Sequence, residues 1–345
     1  MKKLLNTLYV ASKNSYLHKE GENIVVKHET GEKIHFPIHN LESIICFGPI
    51  SCSTPLMELC GERKVCITFL SEYGRYYARV EGPVSGNVLL RRSQYRKADD
   101  VNAALDAARS IVLAKLQNSR NVLLRSVRDS NEAAADKSDA LQSAVRHLHA
   151  LLNKVRNCDN IDSLSGIEGD GARAYFAVFN HLIVAQKRDL FFNERSRRPP
   201  LDNVNALLSF VYTILTHDIS AALQGVGLDP AVGFLHAVRP GRPSLALDIL
   251  EEVRAYLGDR LVLSLVNRNQ VKGKGFRQTE SGAVVMDDDT RKTLLTAYQK
   301  RKYEEIVHPF LKERINIGLI PFVQAQLMAR YLRGDLDDYP PFFLK

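Results

Sequence analysis

Cysteine is sparse in this chain, and no two cysteines are spaced to act together. The five, Cys46, Cys52, Cys60, Cys66 and Cys158, are odd in number and form no C-x-x-C pair. That excludes a disulfide framework and a structural zinc site, and it fits a reducing cytoplasm. Apolar runs of membrane-spanning length are also missing, so no membrane association is expected. The start, Met1-Lys2-Lys3-Leu4-Leu5, is broken by Asn6 and then by Ser12-Lys13-Asn14, so no signal-peptide core forms. Gly273-Lys274-Gly275 lacks the length and the hydroxyl residue of a phosphate-binding loop. No dinucleotide fingerprint, Ser-His-Asp arrangement, internal repeat or low-complexity tract is present. Aspartate is absent before Asp99, an early sign that the chain changes character along its length.

What is there is ordinary in bulk and uneven in distribution. The 345 residues are 45% hydrophobic and 25% charged, the balance of a globular protein long enough for two domains. Short alternating or β-branched runs fill residues 1–82: 4–10, 23–28, 33–38, 43–47, 65–70 and 76–80. A short helix is expected from Ser53, with Pro55 in its first turn. Residues 83–96, opening on Gly82-Pro83, read as a hinge or linker. Beyond it, apolar residues recur at three- and four-residue spacing over 100–127, 131–155, 162–187, 201–224, 244–257 and 288–333. The expected fold class is α+β and multidomain: a small β-rich N-terminal domain at 1–82 and a larger all-α catalytic domain at 97–345.

Net charge is +8, but residues 1–88 hold ten Lys and Arg against nine Asp and Glu. The positive field therefore belongs to the helical part and favours an anionic partner such as nucleic acid. Its basic clusters are Lys187, Arg188, Arg195, Arg197 and Arg198, then Arg268, Lys272, Lys274 and Arg277, with Arg239 and Arg242 in a Gly/Pro turn and Arg173 on a helix. The segment 267–277 holds four cations and no acid, and its glycines let it follow a phosphate backbone. Each cluster alone is ordinary solvated surface.

The chemistry-bearing residues lie among these cations. Asp248, Glu251 and Glu252 stand at i, i+3 and i+4 on a helix that Ser244 is placed to cap. Carboxylates on one face suit Mg²⁺ or Mn²⁺, while a solvated acidic face paired with Arg254 and Arg260 is the plainer alternative. His236, twelve residues before Asp248, reaches that helix if the turn Arg239-Pro240-Gly241-Arg242-Pro243 folds back. Glu168 sits among Gly166, Gly169 and Gly171, where close approach is easy, with Asp170 as its local competitor. His147, His149 and His217 have no matching ligand set and read as structural.

These segments together resemble a known family over essentially the whole chain. The carrying residues are Gly166-Ile167-Glu168-Gly169, Ala172-Arg173-Ala174-Tyr175-Phe176, Arg197-Arg198-Pro199-Pro200, Gly233-Phe234-Leu235-His236, Gly241-Arg242-Pro243-Ser244 with Asp248 and Glu251, and Gln324-Ala325-Gln326. They resemble the CRISPR-associated adaptation nuclease-integrase, the universal protein numbered one in the Cas series, and within it the I-C subtype. The resemblance implies a homodimer that joins a small ferredoxin-like partner, the second protein of that series. It implies capture of double-stranded and branched DNA and insertion of short fragments into the CRISPR array. The subtype implies an iron-sulfur nuclease as a further partner. Family metal ligands carry over to Glu168, His236 and Asp248, and a second helix carboxylate to Glu251, a Glu where relatives often have Asp; Glu252 remains open. Gly171 stands where the family usually has Ala.

Three functions follow from these residues: a metal-dependent DNA integrase that uses a 3′-hydroxyl as nucleophile, a structure-specific nuclease for branched DNA that uses water, and a nucleic-acid-binding scaffold without catalysis.

Overall fold

Short alternating runs and long amphipathic runs build separate units. In the computed structural model, residues 7–41, 43–72, 76–80, 82, 88–129 and 135–344 are described. The chain divides into one compact unit of residues 1–85 with 299–303, and another of 86–298 with 304–345.

The first unit contains β1 (Thr7–Val10), β2 (Tyr16–Glu20), β3 (Asn23–Lys27), β4 (Lys33–Pro37), β5 (Ser43–Phe47), β6 (Ser51–Cys52), α1 (Thr54–Arg63), β7 (Cys66–Leu70) and β8 (Tyr76–Val80). Among the described residues two four-stranded sheets form, in the orders β1-β5-β7-β8 and β4-β3-β2-β6. Strand β5 is buried along its whole length, as a continuous apolar run between two partners must be. Ile24, Ile44, Cys46, Leu56, Leu59, Cys60 and Ile67 share the core. Ser53 caps α1 by accepting the Leu56 N–H, and Pro55 occupies its first turn. Cys46 and Cys60 are buried, and Cys66 is half-exposed and accepts a hydrogen bond from Arg79 Nε. Strand β2 has no apolar alternation to announce it: Leu17 alone is fully buried there, and the strand ends His18-Lys19-Glu20.

The second unit is mostly helical: α2 (Val88–Asp99), α3 (Val101–Arg128), α4 (Ala135–Arg156), α5 (Ile161–Ala177), α6 (Asn203–Gly225), α7 (Ser244–Val253), a π-helical turn (Arg254–Asp259) and α8 (Arg260–Asn267). Then come β9 (Phe276–Gln278), β10 (Val284–Met286), α9 (Asp288–Lys302, whose residues from 299 on count with the first unit), β11 (Glu305–Val307), β12 (Arg314–Asn316) and α10 (Ile320–Arg333). Helix α3 is the axis, with α4, α5 and α7 packed against it. Asp100 caps its start by accepting from Asn102 N and Ala103 N.

Three expectations change. Of the linker expected at 83–96, residues 83–87 lie outside the described residues, and 88–96 is helix α2. Its residues are good helix formers, and Leu90 and Gln94 are buried. The C-terminal part is not purely α-helical. The antiparallel pairs β9–β10 and β11–β12 interrupt it, the second splitting the expected helical stretch 288–333 near Pro309. Helix α6 is long and apolar enough by composition to cross a membrane, but 67% of its most apolar window is buried inside the unit, as in a core helix.

Candidate metal centre

The centre is assembled from three helices and one loop. Helix α3 contributes Lys115, α5 Glu168, α7 Asp248 and Glu251, and the loop before α7 contributes His236. Lys115 lies on the buried stripe of α3 with Ala108, Ile111, Val112 and Val122. Its ammonium pairs with Glu168 Oε1 and lies 2.8 Å from Glu251 Oε2. Arg254, at i+3, pairs with the same Glu251 oxygen. That oxygen is buried and takes ion pairs but no hydrogen bond of good geometry. Burial pushes the Glu251 carboxyl up, yet Arg254 and Lys115 outweigh it and hold it at about 2. Burial pushes the Lys115 ammonium down to about 8, against the pull of Glu251. Nearby Arg197 pushes the same way, which places that member of the basic cluster within electrostatic reach of the centre.

Asp248 is wholly buried and its oxygens are fully engaged. Oδ2 accepts the backbone N–H of Phe234 at 2.6 Å and of Leu235 at 3.1 Å. Oδ1 accepts the N–H of His236 at 3.0 Å and lies 2.7 Å from His236 Nδ1. The approach requires Gly233, because a Cβ there would lie 2.5 Å from Asp248 Oδ2. Ser244 does not cap α7; its hydroxyl donates to Ala237 O and ties the Gly/Pro turn to the helix. The loop thus folds the histidine over α7, with the carboxylate holding Nδ1 and leaving Nε2 for a ligand.

Glu252 points away from this cluster. It accepts from Tyr339 hydroxyl at 2.7 Å, Gln324 Nε2 at 2.9 Å and Phe342 N at 3.0 Å. Burial pushes its carboxyl up to about 8 despite these donors. It anchors the C-terminal segment, together with Asn118, whose amide donates to Glu252 O and Phe342 O. The solvated acidic face is therefore not what forms, since all three α7 carboxylates are buried.

The sequence-picked cations separate by burial. Arg173, Lys187, Arg188, Arg197, Arg198, Arg239, Arg268, Lys272, Lys274 and Arg277 have exposed or largely exposed side chains, and Arg242 is half-buried. Arg195 is structural. It donates to Ser196 O, to Asn205 Oδ1 at 2.7 Å and to Ser209 Oγ at 3.1 Å, and lies over the Tyr212 ring. Asp170 is occupied elsewhere, 3.0 Å from His147 Nε2 and paired with Arg173.

Sequence reasoning missed Lys115, although a lone lysine on the apolar stripe of an amphipathic helix was the available signal. It also missed the group below the centre, where Asp259 accepts from the Tyr175 and Tyr212 hydroxyls. Tyr175 is seven residues after Glu168, and Asp259 ends the π-helical turn that follows Glu251, so this bond ties the two carboxylate-bearing helices together.

The donor set suits a hard divalent cation: two carboxylates on different helices and one tethered imidazole. Among the described residues no three His, Cys, Asp or Glu side chains already converge as a ligand group, and Lys115 stands between Glu168 and Glu251.

A two-unit chain whose helical unit holds this part-buried Glu/His/Glu cluster and carries many exposed cations belongs to the phosphodiester-processing class of nucleic-acid proteins. The family model for CRISPR associated protein Cas1 matches residues 8–300, and this chain belongs to that family. It is 52% identical over 342 residues to CRISPR-associated endonuclease Cas1 1 of Chlorobaculum tepidum, covering 99% of each. It is 49% identical over 347 residues to CRISPR-associated endonuclease Cas1 2 of Rhodospirillum rubrum, covering all of both. It is 33% identical to a Cas4 exonuclease/Cas1 endonuclease fusion of Geobacter sulfurreducens, spanning 97% of this chain and 60% of the fusion. The fold matches a CAS1 protein from Thermotoga maritima, with a TM-score of 0.82 at 22% identity over 99% of this chain and 100% of that one. It also matches a Cas6-RT-Cas1–Cas2 complex, with a TM-score of 0.82 at 25% identity over 100% of this chain and 37% of that one.

Proposed function

We infer that this Cas1 family member is a metal-dependent DNA endonuclease and integrase of CRISPR adaptation, and that Glu168, His236 and Glu251 are its metal ligands. What supports the ligand set is one observation: carboxylates from α5 and α7 are drawn to a single cationic point beside a histidine whose Nδ1 is tied to Asp248. Asp248 is reassigned from ligand to orienting partner, since its oxygens already accept four donors. Glu251, secondary in the sequence reading, becomes a full member. Glu252 is a structural anchor.

A bound Mg²⁺ or Mn²⁺ supplies Lewis-acid polarisation of the scissile phosphate and neutralises charge on the leaving oxygen. The chain's own residues do the rest. Glu168 and Glu251 offer oxygen ligands, and His236 offers Nε2. Asp248 accepts the Nδ1 proton and so keeps the lone pair on Nε2. The exposed cations of 187–198 and 268–277 hold backbone phosphates, so DNA binding weakens steeply with salt. The nucleophile is a 3′-hydroxyl for joining and water for cleavage, and positioning matters more than covalent help.

The protein works as a homodimer in the cytoplasm with a small ferredoxin-like partner. The Cas1–Cas2 complex among its structural neighbours and the Cas4/Cas1 fusion among its relatives support partners of this kind. An iron-sulfur nuclease of the fused type acts beside it.

The test is metal-dependent joining of a labelled 3′-hydroxyl fragment to repeat DNA, with the small partner present, in wild type, Glu168→Ala, His236→Ala and Glu251→Gln. Joined product that needs metal and all three side chains is the expected result. Cleavage without joining would shift the reading to the branched-DNA nuclease. Equal activity in wild type and Glu168→Ala would leave a binding scaffold.

A further inference from the structure

The position between Glu168 and Glu251 is already held by a cation of the chain itself. Lys115 reaches it from the middle of α3 with its side chain buried. Its ammonium contacts one carboxylate from α5 and one from α7. Arg254 reaches Glu251 from within the same helical run, at i+3. Two carboxylates thus face two cations, and the cluster is close to neutral without a metal. A dication entering the same bay meets the Lys115 charge at contact distance in buried surroundings, where like charges are costly. Arg254 does not stand between the two carboxylates, so its charge can stay.

We propose that Lys115 is a built-in competitor for the divalent metal: it holds the two carboxylates together while the site is empty and must yield its position for the metal to bind. This role presupposes the Glu168/His236/Glu251 site proposed above. It has two separable consequences. Lys115 stabilises the metal-free protein, because without it two carboxylates are left with Arg254 alone. It also weakens metal affinity, because each binding event has to displace an ion pair.

Both consequences are read without catalysis, by titrating the full-length purified chain with Mn²⁺ and following free Mn²⁺ by electron paramagnetic resonance. Wild type, Lys115→Met and Lys115→Arg are compared, with Glu168→Ala as the background for sites elsewhere. The expected result is Mn²⁺ bound at least tenfold more tightly by Lys115→Met than by wild type. Its melting temperature falls in EDTA, and it gains more from Mn²⁺ than wild type does. Lys115→Arg keeps a cation of longer reach at the same point and binds Mn²⁺ at least threefold more weakly than wild type. That variant carries the test on its own if Lys115→Met does not fold without metal. Mn²⁺ binding that Glu168→Ala abolishes, but that Lys115→Met leaves unchanged or weakens, overturns the competitor role and leaves the metal site standing. The same holds for Lys115→Arg binding as tightly as wild type. Absence of site-specific Mn²⁺ binding in both wild type and Lys115→Met removes the metal site and the competitor together.

Discussion

Nδ1 of His236 and Oδ1 of Asp248 lie 2.7 Å apart, and the carboxylate that meets the ring is itself fixed by three consecutive backbone N–H groups of the loop carrying that histidine. One buried side chain therefore sets both the loop conformation and the ring orientation. Asp248→Asn must turn an NH₂ group toward two donors, whichever way the amide faces. We expect a loss of about 2–3 kcal/mol in unfolding free energy, since buried donors are left unpaired. Joining falls roughly 10–100-fold, the usual cost of losing a partner that orients a ligand. His236→Ala leaves the three backbone bonds in place and costs under about 1 kcal/mol, yet abolishes joining. Urea denaturation and the joining assay on both variants check this. Asp248→Asn with wild-type stability would refute the assigned role.

Glu252 makes stability pH-dependent. Its carboxyl is raised to about 8 in the folded protein, above the ordinary glutamate value of 4.5. The folded state holds the proton more tightly than the unfolded state. The stabilisation is complete below about pH 4.5, shrinks as pH rises, and is gone above about pH 8. The slope is on the order of 1 kcal/mol per pH unit. Glu252→Gln mimics the protonated form: its oxygen accepts from Gln324 and Phe342, and its amide donates to the Tyr339 oxygen. Melting followed from pH 5 to 9 should show a downward slope in wild type that is reduced in Glu252→Gln. Parallel slopes would show that Glu252 is not the group responsible.

How much of this was legible in the sequence depended on whether a signal was local. The strands at 23–27, 43–47 and 66–70 and the long helices follow from apolar periodicity, and they are there. Strand β2 is mostly polar and is held by pairing with β3 and β6, which no local window contains. At the centre, Glu168, His236 and the α7 carboxylates could be picked by residue type. Which carboxylate faces His236 and which faces Glu168 could not, because i, i+3 and i+4 on one helix turn all three broadly the same way. The loop N–H groups that claim Asp248 and the C-terminal Tyr339 and Phe342 that claim Glu252 decide the matter, and both are long-range contacts. Lys115, 53 residues from Glu168, needed the tertiary fold to become visible.

The basic residues divide into anchors and DNA contacts, and the two classes fail differently. Arg195→Ala removes bonds to Asn205 and Ser209 and the guanidinium packed over the Tyr212 ring, and costs about 2–3 kcal/mol of stability. The DNA affinity of the folded fraction stays within about twofold, since surface phosphates are not its partners. Lys272 and Lys274 are exposed. Replacing both by Ala leaves stability within about 0.5 kcal/mol. It lowers the slope of log affinity against log salt by roughly 2, one phosphate contact each. Fluorescence anisotropy at several salt concentrations distinguishes the two. An unchanged slope in the lysine pair would place the DNA path elsewhere.

The same substitution at two glycines of α5 should have opposite signs. At Gly166 an added Cβ meets nothing within 4 Å, and the residue is exposed. Alanine there removes backbone freedom from the unfolded chain at no steric cost, and we expect a gain of about 0.5–1 kcal/mol. Gly166 is two residues from Glu168, so it faces roughly the opposite side of the helix, and joining should be unchanged. At Gly171 an added Cβ would lie 2.1 Å from Leu116 Cδ2 and 3.5 Å from Leu148 and Leu151. Leu116 is buried and adjacent to Lys115, so its movement is confined and disturbs the centre. Gly171→Ala is expected to cost about 1–3 kcal/mol, the range for overpacking a filled core. Combining it with Leu116→Val should recover part of that loss, since the two positions compete for one volume. Strictly additive effects in the double variant would mean that α5 shifts as a body to admit the methyl group. The glycine at this family position would then owe nothing to the leucine opposite it.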